Sequence, residues 1–546
     1  MRLRGGQALA RQLALEGVGV VFGVPGVHLH FAVDGLATDA PGIRFLATRH
    51  EQTATYMADG YARATSRPGV AMVVPGPGVL NAGAGLATAY ACSSRVLLLA
   101  GQVPTHLLGE GRGFLHEIPE QTQLLRSLTK WSALARAPEE VPRLLREAFR
   151  QLMTGRPRPV AVELPPDVLA READMALPDP AAPGPPPAPD AEQVERAAAL
   201  LAEAEFPVLW AGHGVTVAGA GGQVAALAER LGAPIVKSWF GRSAIDDRHP
   251  LVVPTQAAGA LLAAADAVLV AGSRFVTRDA EPFGVRPGAR TVGVNLDPRD
   301  LGPPRRYDVA IEADAGVALE AIERALPGRV AAVPHADVAA QLRETSAREL
   351  EGLEPQMSWL RALRAGLPDD GVLVNDLTQV GFVAELGYEV RDPLSFVTAG
   401  YQGTLGFGFP TALGVKAGAP GRAVVALCGD GGFGYALPDL ATARQHGLGV
   451  VVALFDDGGF GNVRRTQQEQ FGGRLLGTRL ENPDFVALAR SYGIFGVRVE
   501  RPDELTAVLR ERAEAAEPAV VVMPQGEVPS PWPLILRAGR PAPAPR

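Results

Sequence analysis

Lysine is nearly missing from this sequence. Of 52 basic residues only Lys130, Lys237 and Lys416 are lysine, and the 49 arginines are scattered along the 546 residues. With a net charge of −7, no overall positive field would recruit nucleic acid or an anionic membrane. Cysteine is as scarce. Cys92 and Cys428 lie too far apart for a disulfide framework and are too few for a thiolate metal site. No apolar run reaches the roughly 18 residues needed to span a bilayer; the most apolar stretch, Ala257 to Gly272, is interrupted by Asp266. The N-terminal MRLRGGQALARQLALEG lacks the continuous apolar run of a signal peptide, so a reduced, cytoplasmic protein is expected. Aromatic residues make up 6% and hydrophobic residues 47%, which predicts a large, mainly aliphatic core.

The length predicts three or four domains at about 150 residues each. Pro178 to Asp190 (PDPAAPGPPPAPD) is dense in proline and reads as an extended, semi-rigid connector. A softer polar break runs from about Pro327 to Pro355, and a Pro-rich tail begins near Pro529. The expected domains are therefore 1–177, 191–330 and 357–528. Each repeats one rhythm: a short β-branched run, a Gly-rich turn and a helical stretch. IRFLAT, GVAMVV and VLLLAG carry it in the first, PVLWAG, PIVKS, AVLVAG and TVGVNLD in the second, and GVLVND, SFVTAG, AVVALC and GVVVALF in the third. Continuous apolar strands alternating with helices predict an α/β fold of three doubly wound parallel sheets.

The most informative pattern is AVVALC followed by Gly429, Asp430, Gly431 and Gly432, a helical stretch, and then GVVVALF followed by Asp456, Asp457, Gly458 and Gly459. A right-handed crossover makes the two strands parallel, so Asp430 and Asp457 reach the same carboxyl edge, where open α/β sheets bind ligands. Open N–H groups at Gly431 and Gly432 suit an anion, and few carboxylates plus phosphate oxygens suit Mg²⁺. On spacing alone, two ordinary glycine turns fit equally well.

The same turn, together with RHEQTATYMADGYARATSRPGV, PGPGVLNAGAGLATAY and TAGYQGTLGFGFPTALGVKAG, resembles thiamine diphosphate (ThDP) enzymes of the acetolactate synthase and 2-oxo acid decarboxylase superfamily. The motifs occur in the family's order over nearly the whole chain. The resemblance implies pyrimidine-binding, central and diphosphate-binding domains, with ThDP and Mg²⁺ as cofactors. It implies that Glu51 hydrogen-bonds the aminopyrimidine ring and promotes ylide formation. Asp430, Asp457 and the Gly459 carbonyl become the metal ligands. Gly429, Gly431, Gly432 and Gln379 become diphosphate contacts, the Gly403 carbonyl meets the exocyclic amine, and Leu405 supports the bent cofactor. A homodimer or homotetramer is implied, with each site shared between two subunits.

The sequence departs from the family at several points. Asp456–Asp457 replaces a paired Asn, adding negative charge beside an anionic cofactor and predicting a stronger need for divalent metal. In GRGFLHEIPEQ, His116 and Glu117 stand where acetolactate synthases have Phe and Gln; a carboxylate there suits a polar or cationic substrate tail. The GVPGVH, RHEQ and GRGxLHE elements resemble a decarboxylase of guanidino-substituted 2-oxo acids, with His28 as a candidate proton donor and His30 as a weaker one. Thr466 replaces the tryptophan that favours 2-oxobutyrate as acceptor, whereas Arg278 aligns with a substrate-facing arginine. WAGHGV and VNLDP resemble the FAD-binding fold of the synthases and leave FAD undecided. The expected reaction is decarboxylation of a small-molecule 2-oxo acid through an enamine, releasing an aldehyde. The alternatives are carboligation to a second 2-oxo acid and a catalytically silent ThDP-fold subunit.

Overall fold

The computed structural model describes residues 1–328, 335–512, 515 and 517–537. The expected boundary at residue 330 and the second half of the Pro-rich tail lie outside them. Three six-stranded sheets carry the fold, and every strand pair within them is parallel. The first has the order Arg44–Ala47, Val20–Gly23, Gly69–Val73, Val96–Gly101, Val160–Leu164, Trp131–Leu134. In the third, Val372–Asn375, Val424–Gly429 and Val450–Asp456 lie side by side between the outer strands Phe396–Thr398, Ala519–Pro524 and Phe495–Arg498. The middle sheet is built likewise around Pro207–Ala211 and Ala267–Ala271. Central strands are buried along nearly their whole length, which is why they read as unbroken apolar runs.

The first and third segments share one core. Phe22, Tyr56, Met57 and Leu86 belong to the same buried cluster as Phe407, Phe409, Phe433 and Leu454. Helix Glu51–Thr65 lies against helix Gly408–Gly418 at a separation only glycine permits. A Cβ on Gly60 would stand 2.1 Å from the Thr411 carbonyl oxygen, and one on Gly414 2.0 Å from that of Met57. Beside this crossing, fully buried Asp439 accepts from the Arg49 N–H (2.8 Å), Thr53 Oγ1 (2.5 Å) and Thr442 Oγ1 (2.7 Å), so its charge is hydrogen-bonded from both segments.

The middle segment keeps its own clusters on the two faces of its sheet. The proline-rich stretch does more than connect. Pro183 to Pro187 form part of the wall of a long cleft with residues from all three segments. Gly60→Ala should cost about 1–3 kcal/mol by forcing the two helices apart. A lowered urea midpoint checks this, and an unchanged midpoint refutes the close packing.

Candidate active site

At the carboxyl edge of the third sheet, Val424–Gly429 and Val450–Asp456 pair with Gly429 opposite Phe455, so the residues after each strand emerge together. Asp430 and Asp457 meet there. Asp430 is buried, and its Oδ2 accepts from the Gly459 N–H (3.1 Å) and from Asn482 Nδ2 (2.6 Å). Asp457 Oδ2 lies 3.6 Å from Arg464 Nη2, while its Oδ1 is buried with no hydrogen-bond partner. Burial, and then the Asp430 charge, push the Asp457 carboxyl up to about 6. Such a pair calls for a cation. No group of three or more His, Cys, Asp or Glu that could hold a metal occurs among the described residues. Two carboxylates would therefore need a backbone carbonyl and ligand oxygens to complete a hard-cation shell, which is the donor set Mg²⁺ prefers.

Next to the pair lies a cavity of about 250 Å³, walled by Thr378, Gln379, Leu405, Gly429 to Gly432, Asp457, Gly459 to Val463 and Gln525. Gln379 opens helix Gln379–Gly387, capped by Thr378 Oγ1 accepting from the Gly381 N–H at 2.7 Å. Its Oε1 is buried without a partner. Gly461 has no room for a side chain: a Cβ there would fall 2.1 Å from Asp457 Oδ2. Unpartnered Asp457 and Gln379 oxygens, glycine N–H groups and a helix N-terminus fit a metal-bound diphosphate. Gly403, at φ +57°, and Leu405 follow the short turn after Phe396–Thr398.

Glu51 opens helix Glu51–Thr65, where His50 Nδ1 accepts from the Gln52 N–H at 3.1 Å and so serves as the N-cap. Glu51 Oε2 accepts from Asn81 Nδ2 at 2.9 Å. The cavity beside Asp430 is lined wholly by residues 377–525. Glu51 is therefore not among its walls within one chain.

The remaining predicted residues gather on the first sheet's edge. His28 is buried, stacks on His116 at 5.0 Å and meets the Phe114 ring edge-on. A carbonyl can only accept, so the 3.1 Å contact to the Leu115 oxygen places a proton on His28 Nε2. Burial lowers its pKa further than that bond raises it, leaving a neutral ring with Nδ1 unpartnered. His116 Nδ1 is unpartnered as well. The Glu117 carboxylate accepts from the Gly111 N–H (3.2 Å) and the Phe114 N–H (2.9 Å), so it ties its own loop together. His30 begins helix His30–Asp39 and is exposed.

Two residues escaped the sequence reading. Asn482 donates to both Asp430 and Asp456 Oδ1 (2.8 Å), and Asp376 accepts from the N–H groups of Leu377 (2.8 Å) and Gly408 (2.9 Å). A second cavity of about 890 Å³ runs between the segments, from the Pro183–Pro187 stretch past Gly214 and Gly272 to Gly403.

Comparison with known proteins agrees with this geometry. Residues 3–124, 194–322 and 376–523 match, respectively, the N-terminal TPP binding domain, the central domain and the C-terminal TPP binding domain of the thiamine pyrophosphate enzymes. A "Probable 2-ketoarginine decarboxylase AruI" of Pseudomonas aeruginosa is 36% identical over 93% of this chain and 91% of its own length. A "Probable acetolactate synthase large subunit" of Methanocaldococcus jannaschii is 34% identical over 94% and 91%. The "Acetolactate synthase isozyme 3 large subunit" of Escherichia coli is 32% identical over 94% and 92%. The three matched domains, each built on a parallel sheet, define a ThDP-dependent enzyme. More narrowly, the chain belongs to the thiamine pyrophosphate enzyme family, in the superfamily of acetolactate synthases and 2-oxo acid decarboxylases.

Asn482→Ala should free Asp430 and raise the Mg²⁺ concentration needed for half-maximal ThDP binding about tenfold, the worth of a hydrogen bond to a charged group. Quenching of intrinsic fluorescence by the cofactor measures it, and an unchanged midpoint would remove Asn482 from the site.

Proposed function

We propose that this enzyme is a ThDP- and Mg²⁺-dependent decarboxylase that removes CO₂ from a small-molecule 2-oxo acid and releases an aldehyde. The observation that carries the cofactor assignment is the Asp430–Asp457 pair beside the cradle: Asp430 is buried, Asp457 is half-buried with Oδ1 unpartnered, and Arg464 at 3.6 Å offsets only one of the two carboxylates. The 2-ketoarginine decarboxylase relative supports aldehyde release. Carboligation, as in the acetolactate synthase relatives, is the second reading, favoured by their similar identity and coverage.

In this proposal Asp430 Oδ1, Asp457 Oδ1 and the Gly459 carbonyl hold Mg²⁺. The N–H groups of Gly431 and Gly432, with Gly429 and Gln379, hold the diphosphate. Leu405, in the cavity wall, would pack against the cofactor, and the Gly403 carbonyl would accept from its exocyclic amine. Bound ThDP supplies an electron sink for the carbanion left by CO₂ loss. Glu51, its Oε2 fixed by Asn81, holds and returns a proton at the ring nitrogen through Oε1. His28 and His116, stacked with unpartnered Nδ1 atoms, handle the proton delivered to the product carbon. Glu117 fixes the loop that carries His116.

The separation of Glu51 from the cradle within one chain supports a homodimer or homotetramer in which Glu51 serves the partner's cradle. Two buried free thiols support a reducing, cytoplasmic setting. The long cleft, with Gly214 and Gly272 in its wall, suits a dinucleotide. A flavin retained through purification would assign FAD to it; a colourless protein would leave it to another ligand.

CO₂ release from pyruvate and from branched, aromatic and guanidino 2-oxo acids, with products identified, tests the reaction. Aldehyde is expected, and a 2-hydroxy-3-oxo acid as the main product would overturn the lyase reading. Glu51→Gln should lower turnover by about 10²–10⁴-fold, the usual range for a lost general acid–base group, while the cofactor still binds.

As a check on the added charge, Asp457→Asn should weaken the dependence of ThDP affinity on Mg²⁺. Wild-type affinity that is equal with and without the metal would sink the Asp457 argument.

A further inference from the structure

The wall between the two cavities carries an ion pair that the site above does not use. Arg278 reaches from the middle segment to Glu385 on helix Gln379–Gly387, its Nη2 donating to Glu385 Oε2. The two side chains keep only 25% and 7% of their exposure. The guanidinium also faces two indoles, lying 5.1 Å from the Trp239 ring centroid and 5.6 Å from that of Trp532. Trp532 Nε1 in turn donates to Asn462 Oδ1 at 2.6 Å, and its ring packs against Phe382 at 5.2 Å. Asn462 and Phe382 line the diphosphate cavity, whereas Arg278 and Glu385 line the long cleft that ends at Gly403. The pair therefore stands one layer of side chains from the proposed cofactor.

The chemistry of the two possible outcomes differs at this wall. After CO₂ is lost, the carbon that carried it either takes a proton, and an aldehyde leaves, or bonds to the keto carbon of a second 2-oxo acid, whose carbonyl oxygen takes the proton. Each course consumes one proton and needs no oxidant. Only the second must seat another carboxylate away from bulk water, and a desolvated carboxylate needs a cation. Nearby cations are committed: Arg464 to Asp457, Arg465 to the Val528 carbonyl, and Arg274 over the Tyr401 ring. Arg278 is committed to Glu385.

We infer that Glu385 is a specificity-determining residue: by holding Arg278 as its internal counter-ion, it withholds that cation from an acceptor carboxylate and directs the reaction to aldehyde release. This rests on the decarboxylase reading above. Burial lowers the Arg278 pKa to about 10, which leaves the guanidinium charged at neutral pH.

The test uses the holoenzyme with ThDP and Mg²⁺, the best acid of the panel as donor and pyruvate as acceptor. In Glu385→Gln the ratio of 2-hydroxy-3-oxo acid to aldehyde should rise about tenfold, as expected when a charge-assisted contact becomes available to the acceptor. Adding Arg278→Met to that variant should return the ratio to the wild-type value. An unchanged ratio in folded Glu385→Gln overturns the inference, and so does an equal rise in the double variant, which would mean that space rather than charge was released. If Glu385→Gln melts below the assay temperature, Glu385→Asp, which shortens the carboxylate, should give a smaller rise, and no rise overturns the inference. Wild-type enzyme that forms mainly ligation product, or turns over no acid, sinks the decarboxylase reading and this inference with it. Wild-type aldehyde release with an unmoved variant sinks the inference alone.

Discussion

Two carboxylates brought together at one sheet edge set the terms for the proposed cofactor site. Parallel pairing of Val424–Gly429 with Val450–Asp456 brings Asp430 and Asp457 to one edge. Burial first, and then the Asp430 charge, hold the Asp457 carboxyl up to about 6. The surroundings compensate only in part. Asn482 and the Gly459 N–H take one oxygen of Asp430, and Arg464 stands off Asp457. The remaining deficit is positive charge. The proposed divalent cation, with a diphosphate beside it at the Gly429–Gly432 turn, would remove that deficit.

The rest of the fold holds this edge in place. A close glycine crossing between Glu51–Thr65 and Gly408–Gly418 merges the first and third segments into one core, and Asp439 is hydrogen-bonded from both. The same crossing fixes where helix Glu51–Thr65 begins, and so where Glu51 presents its carboxylate. The middle segment meets the third through Arg278 and Glu385, and also through Arg242, which donates to the Glu385 and Tyr388 carbonyls. Charge and packing thus converge on helix Gln379–Gly387, whose N-terminus faces the cradle.

Much of this was legible in the sequence because buried parallel strands leave an unbroken apolar run. All eleven runs read as strands are strands. The buried runs Val20–Gly23, Val160–Leu164 and Ala519–Pro524 carry the same apolar signal yet are not among the eleven, whereas Trp131–Leu134 gives a weaker signal as a half-buried edge strand with a serine in it. The cradle was legible because its glycines and aspartates are adjacent in sequence. Asn482 was not, since it lies 26 residues from Asp456 in a loop with no periodic signal. The His28–His116 stack depends on a contact across 87 residues at Leu115, and Glu385 is a lone carboxylate in an apolar helix whose partner lies in another segment. Contacts made between segments carry no local pattern, and the proline-rich connector hid its role as a cleft wall for the same reason.

The shared core has a consequence for how the chain is made. Helix Glu51–Thr65 leaves the ribosome hundreds of residues ahead of Gly408–Gly418, the surface that covers it. Synthesis at about 5–20 residues per second leaves that apolar face uncovered for tens of seconds. The first segment can form its sheet early but cannot finish its core alone. A nascent chain halted before the third segment would be a chaperone client, not a folded domain, and the two outer thirds complete folding as one unit.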